Sequence, residues 1–131
     1  MKIKGLKTLL LIAALLFSIG KLHAQEQEEI YSKIEQSAEF PGGIDSFFKF
    51  MSKNLKYPPD AKKNNVQGKV FLTFVVEKDG SLTDIKVVRG IGYGCDEEAI
   101  RVMKLSPKWN AAMHDNKPVR QQYTIPILFQ R

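Results

Sequence analysis

Cys95 and His114 are the residues of this chain whose types suit nucleophilic catalysis. A thiol becomes a strong nucleophile when a neighbouring imidazole takes its proton. Cys95, however, opens a stretch (96–105) in which Ala99, Val102 and Met103 recur with helical spacing beside Ile100, so a packed core and an inert thiol are expected there. His114 falls in a polar stretch, 110–119, read as a loop, and the other histidine, His23, lies in the first 24 residues, which leaves no multi-histidine metal site. The glycines of Gly90-Ile91-Gly92-Tyr93-Gly94 fit a G-x-G-x-G phosphate loop. Such a loop needs a strand, a glycine turn and a helix inside a parallel βαβ unit. The strands before it read as an antiparallel hairpin, and the helix after it begins Asp96-Glu97-Glu98, whose charge repels phosphate at a helix N-terminus. No enzyme activity, nucleotide, metal or other cofactor is expected.

The chemistry that is left belongs to the backbone. In the late stretch Gln121-Gln122-Tyr123-Thr124-Ile125-Pro126-Ile127-Leu128-Phe129, Val119 and the odd-numbered residues share one face of a strand; Gln122, Thr124, Pro126 and Leu128 share the other. Pro126 has no N–H to donate, which assigns the strand to a sheet edge. An edge offers unpaired donors and acceptors to which an extended peptide can add. Pro126 is equally consistent with an edge merely protected from aggregation.

The elements that position this strand read in order. Phe40-Pro41-Gly42-Gly43 is a turn. Ile44, Phe47, Phe48, Met51 and Leu55 then form a helical stripe expected to face the core, with Asp45 and Lys53 matching the helix dipole. Tyr57-Pro58-Pro59 ends that helix and starts a short one, closed by Asn64 or Asn65, with Lys62 and Lys63 on a solvated face. Gly68 opens a strand with Val70, Leu72, Phe74 and Val76 on one face and Phe71, Thr73 and Val75 on the other, the latter expected to be partly covered by a helix. Asp79-Gly80 predicts a two-residue type I′ turn, and the return strand runs over 82–89 with Ile85 and Val87 inward. Ser106-Pro107 stops the next helix, and Trp109, the single tryptophan, is expected to anchor that corner to the core. The fold class is α+β: a small antiparallel three-stranded sheet, hairpin plus late edge strand, with helices packed on one face.

The chain divides into residues 1–24, 25–39 and 40–131. Lys2, Lys4 and Lys7 precede an uncharged apolar run (8–20), and Leu22-His23-Ala24 offers a cleavage site, the pattern of a signal peptide. The run is short of the roughly 20 residues of a membrane-spanning helix. The alternative is a retained inner-membrane anchor facing the periplasm. Without 1–24 the 20 basic residues against 14 acidic become 16 against 14, so the basic balance gives no support to nucleic-acid binding. Residues 25–39 read as a polar lead-in or tether. Cys95 is the one cysteine, so no internal disulfide forms.

This order of motifs resembles the C-terminal domain of TonB-type energy transducers, in the form seen in Bacteroidetes. The resemblance spans about 40–129 and rests on Glu39-Phe40-Pro41-Gly42-Gly43, Tyr57-Pro58, Gly68-Lys69-Val70, Val75-Val76, Asp79-Gly80, Ile85-Lys86-Val87-Val88, Asp96-Glu97-Glu98-Ala99, Lys117-Pro118-Val119 and Ile125-Pro126-Ile127 with Phe129. It implies a periplasmic domain that binds the TonB box of an outer-membrane transporter by strand addition, for energy-coupled transport. Carried over by residue, Gln121 to Phe129 is the docking edge, and Asn54, Tyr57 and Pro58 are neighbouring contacts. A full transducer also has an uncleaved membrane helix, which engages an inner-membrane motor complex, and a long Pro-rich spacer. This sequence is read as having neither, and the 15 residues of 25–39 reach about 50 Å at full extension. Binding is therefore better supported than force transmission. The competing reading is an envelope assembly module whose edge strand pairs with a second copy, as a homodimer, or with another envelope protein.

Overall fold

The computed structural model describes residues 34–131. Its elements are α1 (Ile44–Asn54), α2 (Pro59–Lys63), β1 (Gly68–Val76), β2 (Leu82–Arg89), α3 (Cys95–Lys104), β3 (Ala112–His114), β4 (Lys117–Val119) and β5 (Gln121–Phe129). The sheet order is β2-β1-β5, antiparallel throughout, and β3 and β4 form a separate two-stranded ribbon. The expected three-stranded sheet with helices on one face is what folds, and β5 is an edge. Among the described residues no helix is long and apolar enough to cross a membrane. The leader expected over 1–24 lies outside the described residues, as do residues 25–33 of the lead-in.

Period-two alternation builds the core. Val70, Leu72, Phe74 and Val76 of β1 and Ile125, Ile127 and Phe129 of β5 are buried, and they join Phe47 and Met51 of α1, Ala61 of α2, and Cys95, Ala99, Val102 and Met103 of α3 in one cluster. Trp109 anchors its corner as expected: it packs edge-on against Phe40, Phe47, Phe74 and Tyr123, and its Nε1 donates to Ser106 Oγ at 2.9 Å. On the opposite face of β1, Phe71, Thr73 and Val75 are half-buried, with Pro126, Thr124 and Gln122 as their cross-strand neighbours on β5. Residues 34–39 are attached to this unit: Glu39 and Asn110 exchange both backbone bonds (3.0 and 2.8 Å), Met113 N–H donates to Gln36 O (2.8 Å), and Ala38 is buried.

Three local expectations differ from the structure. The β1–β2 turn is not type I′: Gly80 has φ +88°, but Asp79 is not among the positive-φ residues, and Gly80 N–H donates to Glu77 O while Glu77 N–H donates to Ser81 O. That is a type I turn closed by a glycine bulge. The type I′ geometry appears in the stretch read as a loop, where Asp115 (φ +50°) and Asn116 (φ +59°) join β3 to β4; short Asp and Asn side chains tolerate the left-handed region. Finally, the helical stripe does not face the core as a whole. Phe47 and Met51 are buried, whereas Ile44 and Phe48 are 55% and 57% exposed. The helix is rotated so that Phe50 and Asn54 turn half inward and Phe48 turns out beside β5.

Gly80 is fixed by more than its own dihedral. A Cβ there would lie 2.0 Å from the carbonyl oxygen of Trp109, whose N–H donates to Gly80 O at 2.9 Å. Gly80→Ala is expected to destabilise the fold by at least about 1–3 kcal/mol, from left-handed strain plus displacement of the Trp109 corner. Urea denaturation checks this: the midpoint should fall with the slope unchanged.

Candidate functional site

The direction of every backbone group on β5 follows from one turn. Both backbone groups of Glu77 are used on the β2 side, by Ser81 and Gly80. Backbone direction alternates along a regular strand, and β1 pairs with β5 without interruption from Val76↔Gln121 to Gly68↔Phe129. The groups of Val76, Phe74, Leu72, Val70 and Gly68 therefore face β5, and those of Gln121, Tyr123, Ile125, Ile127 and Phe129 face back. Gln122, Thr124, Pro126 and Leu128 turn outward. Pro126 thus sits where its missing N–H costs the sheet nothing. The opposite edge, β2, is less regular: its register against β1 shifts twice and Asp84 has φ +54°. Bulges of this kind, with Asp84, Lys86 and Arg89 exposed, blunt an edge.

Helix α1 runs beside the outer edge of β5 in the same sense. Ile44 and Phe47 meet Tyr123 and Ile125 in a small hollow, and Phe47, Phe48, Met51, Ser52 and Leu55 border a groove with residues 126–130. The groove has a volume of about 440 Å³ and no charged residue lines it. Tyr57 closes one end, its ring edge-on to Phe129 (centroids 6.0 Å apart) and its hydroxyl donating to Val66 O. At the other end Ala38 N–H donates to Gln121 Oε1 at 2.6 Å, and Glu39 and Phe40 border the hollow at Tyr123.

The turn that carries Tyr57 is clamped from α3. Glu98 accepts from Lys56 N–H (2.5 Å) and from the Arg101 guanidinium (2.5 and 2.8 Å), and Arg101 also donates to Asn54 O (2.9 Å). The Arg101 hydrogen bonds, chiefly, hold the Glu98 carboxyl below its ordinary value. Of the residues expected to make contacts, Tyr57 and the C-terminal half of β5 share the groove. Asn54 and Pro58 do not line it: the Asn54 amide donates to Phe50 O, and Pro58 borders a second depression with Gly94 and Glu98. Sequence reasoning missed Ile44, Phe48 and Ser52. For Ile44 and Phe48 the signal was an apolar stripe wider than one buried face needs; Ser52 carries no such signal.

The other chemical candidates find structural partners. Asp96 Oδ1 accepts from the N–H groups of Ile91 (2.9 Å) and Gly92 (3.2 Å), so two of the glycine loop's donors are taken by the chain's own carboxylate. Cys95 is fully buried, and burial pushes its thiol above the ordinary value. His114 sits 3.3 Å from both Glu35 and Asp115. These three are the group among the described residues whose donor atoms could reach a common cation, with both carboxylates exposed.

Residues 53–130 match the family described as Gram-negative bacterial TonB protein C-terminal. Comparison with curated proteins gives no match. Similar solved structures include the solution NMR structure of the Pseudomonas aeruginosa TonB CTD: 23% identity, TM-score 0.47, 58% of this chain and 77% of that one covered. Another is the NMR solution structure of the Helicobacter pylori TonB-CTD (residues 194–285), with 25% identity, TM-score 0.44, and 66% and 90% covered.

The Glu98 clamp makes a pH-dependent prediction. A carboxyl lowered in the folded state stabilises above its unfolded value, about 4.3, and loses that contribution as pH falls through the folded value. Glu98→Gln is expected to cost about 1–2 kcal/mol at neutral pH, a discounted range because Arg101 is partly exposed. The difference from the parent chain should shrink as pH drops below about 4, as measured by urea midpoints across pH.

Proposed function

The chain belongs to the family of Gram-negative bacterial TonB protein C-terminal domains, and we propose that it acts in the periplasm by binding the TonB box of an outer-membrane TonB-dependent transporter. The box adds to β5 as a further antiparallel or parallel strand, as part of energy-coupled transport across the outer membrane. The observation that carries this reading is the outward row of Gln122, Thr124, Pro126 and Leu128 on an otherwise regular sheet edge, with Pro126 in the outward set. Main-chain bonds fix the guest alongside the edge, and the flanking groove receives its alternate side chains. Coupling to an inner-membrane motor complex belongs to this proposal only where residues 1–24 are retained as an anchor.

Backbone parity supplies the test. In the free chain the amides of Thr124 and Leu128 have no strand partner, whereas those of Tyr123, Ile125 and Ile127 bond to β1. A synthetic TonB-box peptide is expected to slow hydrogen exchange at Thr124 and Leu128 by tenfold or more and to leave the odd-numbered amides little changed. Chemical-shift changes confined to Lys62 and Lys63 overturn the site. Protection of Thr124 and Leu128 that grows with protein concentration and needs no peptide favours the envelope module that pairs with a second copy.

A further inference from the structure

We propose that the groove between α1 and β5 selects its guest strand by one bulky, uncharged side chain, seated over Ser52 between Phe48 and Tyr57. This rests on the strand-addition reading and says which strands are chosen.

The occupant is fixed by the groove's own chemistry. One wall is a strand edge whose outward amides and carbonyls only an extended polypeptide satisfies in series. A guest strand places alternate side chains on the helix side of the sheet. There they meet Ile44, Phe48 and Ser52, which are spaced four residues apart and so form one ridge of α1. Two members of that ridge are large and more than half exposed, and the third is small. Ser52 therefore leaves a gap in that ridge, in a groove that buried Met51 and Phe129 also line. Its volume of about 440 Å³ is at the small end of ligand-binding cavities, roughly 300–1,000 Å³. An aromatic or branched aliphatic side chain suits that space.

Charge decides what is refused. No ionised group borders the groove, and the Tyr57 hydroxyl is already spent on Val66 O. An Asp, Glu or Lys side chain seated there would lose hydration with no counter-charge. The lead-in borders the hollow toward the Gln121 end, while the groove lies along residues 126–130. The bulky residue of the guest must thus lie opposite 126–128, with the rest of the strand running past Thr124.

The test uses capped eight-residue peptides of threonine with a single Phe, Leu, Asp or Lys placed at each position in turn, titrated into the full chain and followed by NMR. Phe or Leu at one position, and more weakly at positions two residues away, is expected to bind at least tenfold tighter than all-threonine; Asp and Lys there should bind no better than it. Ser52→Trp, on an exposed helix position, should fill the gap and remove the Phe advantage while the outward amides still respond to peptide. Phe48→Ala should reduce that advantage severalfold. Equal binding of all peptides, with Thr124 and Leu128 amides shifting, overturns the selection and leaves strand addition standing. No amide response to any peptide, nor to a TonB-box peptide, overturns both.

Discussion

The parity of β1 is the constraint on which the rest depends. Once the Glu77–Ser81 and Gly80–Glu77 bonds turn both groups of Glu77 toward β2, every second residue of β1 is committed to one neighbour and the remainder to the other. An uninterrupted register then passes that assignment across nine pairs to β5. A one-residue slip would turn Pro126 toward β1, break a ladder bond, and send Ile125, Ile127 and Phe129 to solvent. The buried face and the proline therefore enforce the same register by independent physics. Gly80 stands at the origin of this chain of consequences, because the bulge needs a residue of φ +88° pressed against Trp109.

The second determinant is the rotation of α1. Phe47 and Met51 fill the core, Phe47 packing against Phe40 and Trp109, and this leaves Ile44 and Phe48 beside the strand edge. Burying such side chains is worth about 1.5–3 kcal/mol each. The isolated domain forgoes about half of that gain at two positions on a helix face that borders an unpaired edge. The Glu98–Arg101 clamp has the complementary task of holding the Tyr57 end of the groove in place.

Most of the fold was legible because its elements rest on strong periodicities. The alternation over 70–76, the Pro126 signal and the apolar spacing of 99–103 each specify an element and its buried face. What stayed hidden depends on tertiary context. Asp79-Gly80 is compatible with two turns, and the choice of the bulged one is tied to the Trp109 backbone, far along the chain. Asp115-Asn116 lacks the glycine that usually marks a type I′ turn, so the β3–β4 ribbon read as a loop. The stripe on α1 gave the helix but not its rotation, which the aromatic packing of Phe40, Phe47 and Trp109 decides. Tyr57 and the C-terminal half of the edge strand, expected as contacts, border one groove. Asn54 and Pro58, which the resemblance placed beside them, lie outside that groove: the Asn54 amide bonds Phe50 O, its carbonyl accepts from Arg101, and Pro58 borders a depression with Gly94 and Glu98.

Magnitudes separate the roles of edge and groove. The outward set offers three amides and four carbonyls from 122, 124, 126 and 128, since Pro126 contributes no donor. Each bond is worth a net 0.5–1.5 kcal/mol, roughly 4–10 kcal/mol if all are made. Association and ordering of a free strand cost about 4–15 kcal/mol. Backbone pairing by itself is then close to balanced, and it is blind to sequence. One large apolar side chain buried in the groove adds about 1.5–3 kcal/mol, a factor of ten or more in affinity. On the proposed reading, the edge therefore determines where a guest lies, and the α1 groove supplies the margin by which one strand is held and another released.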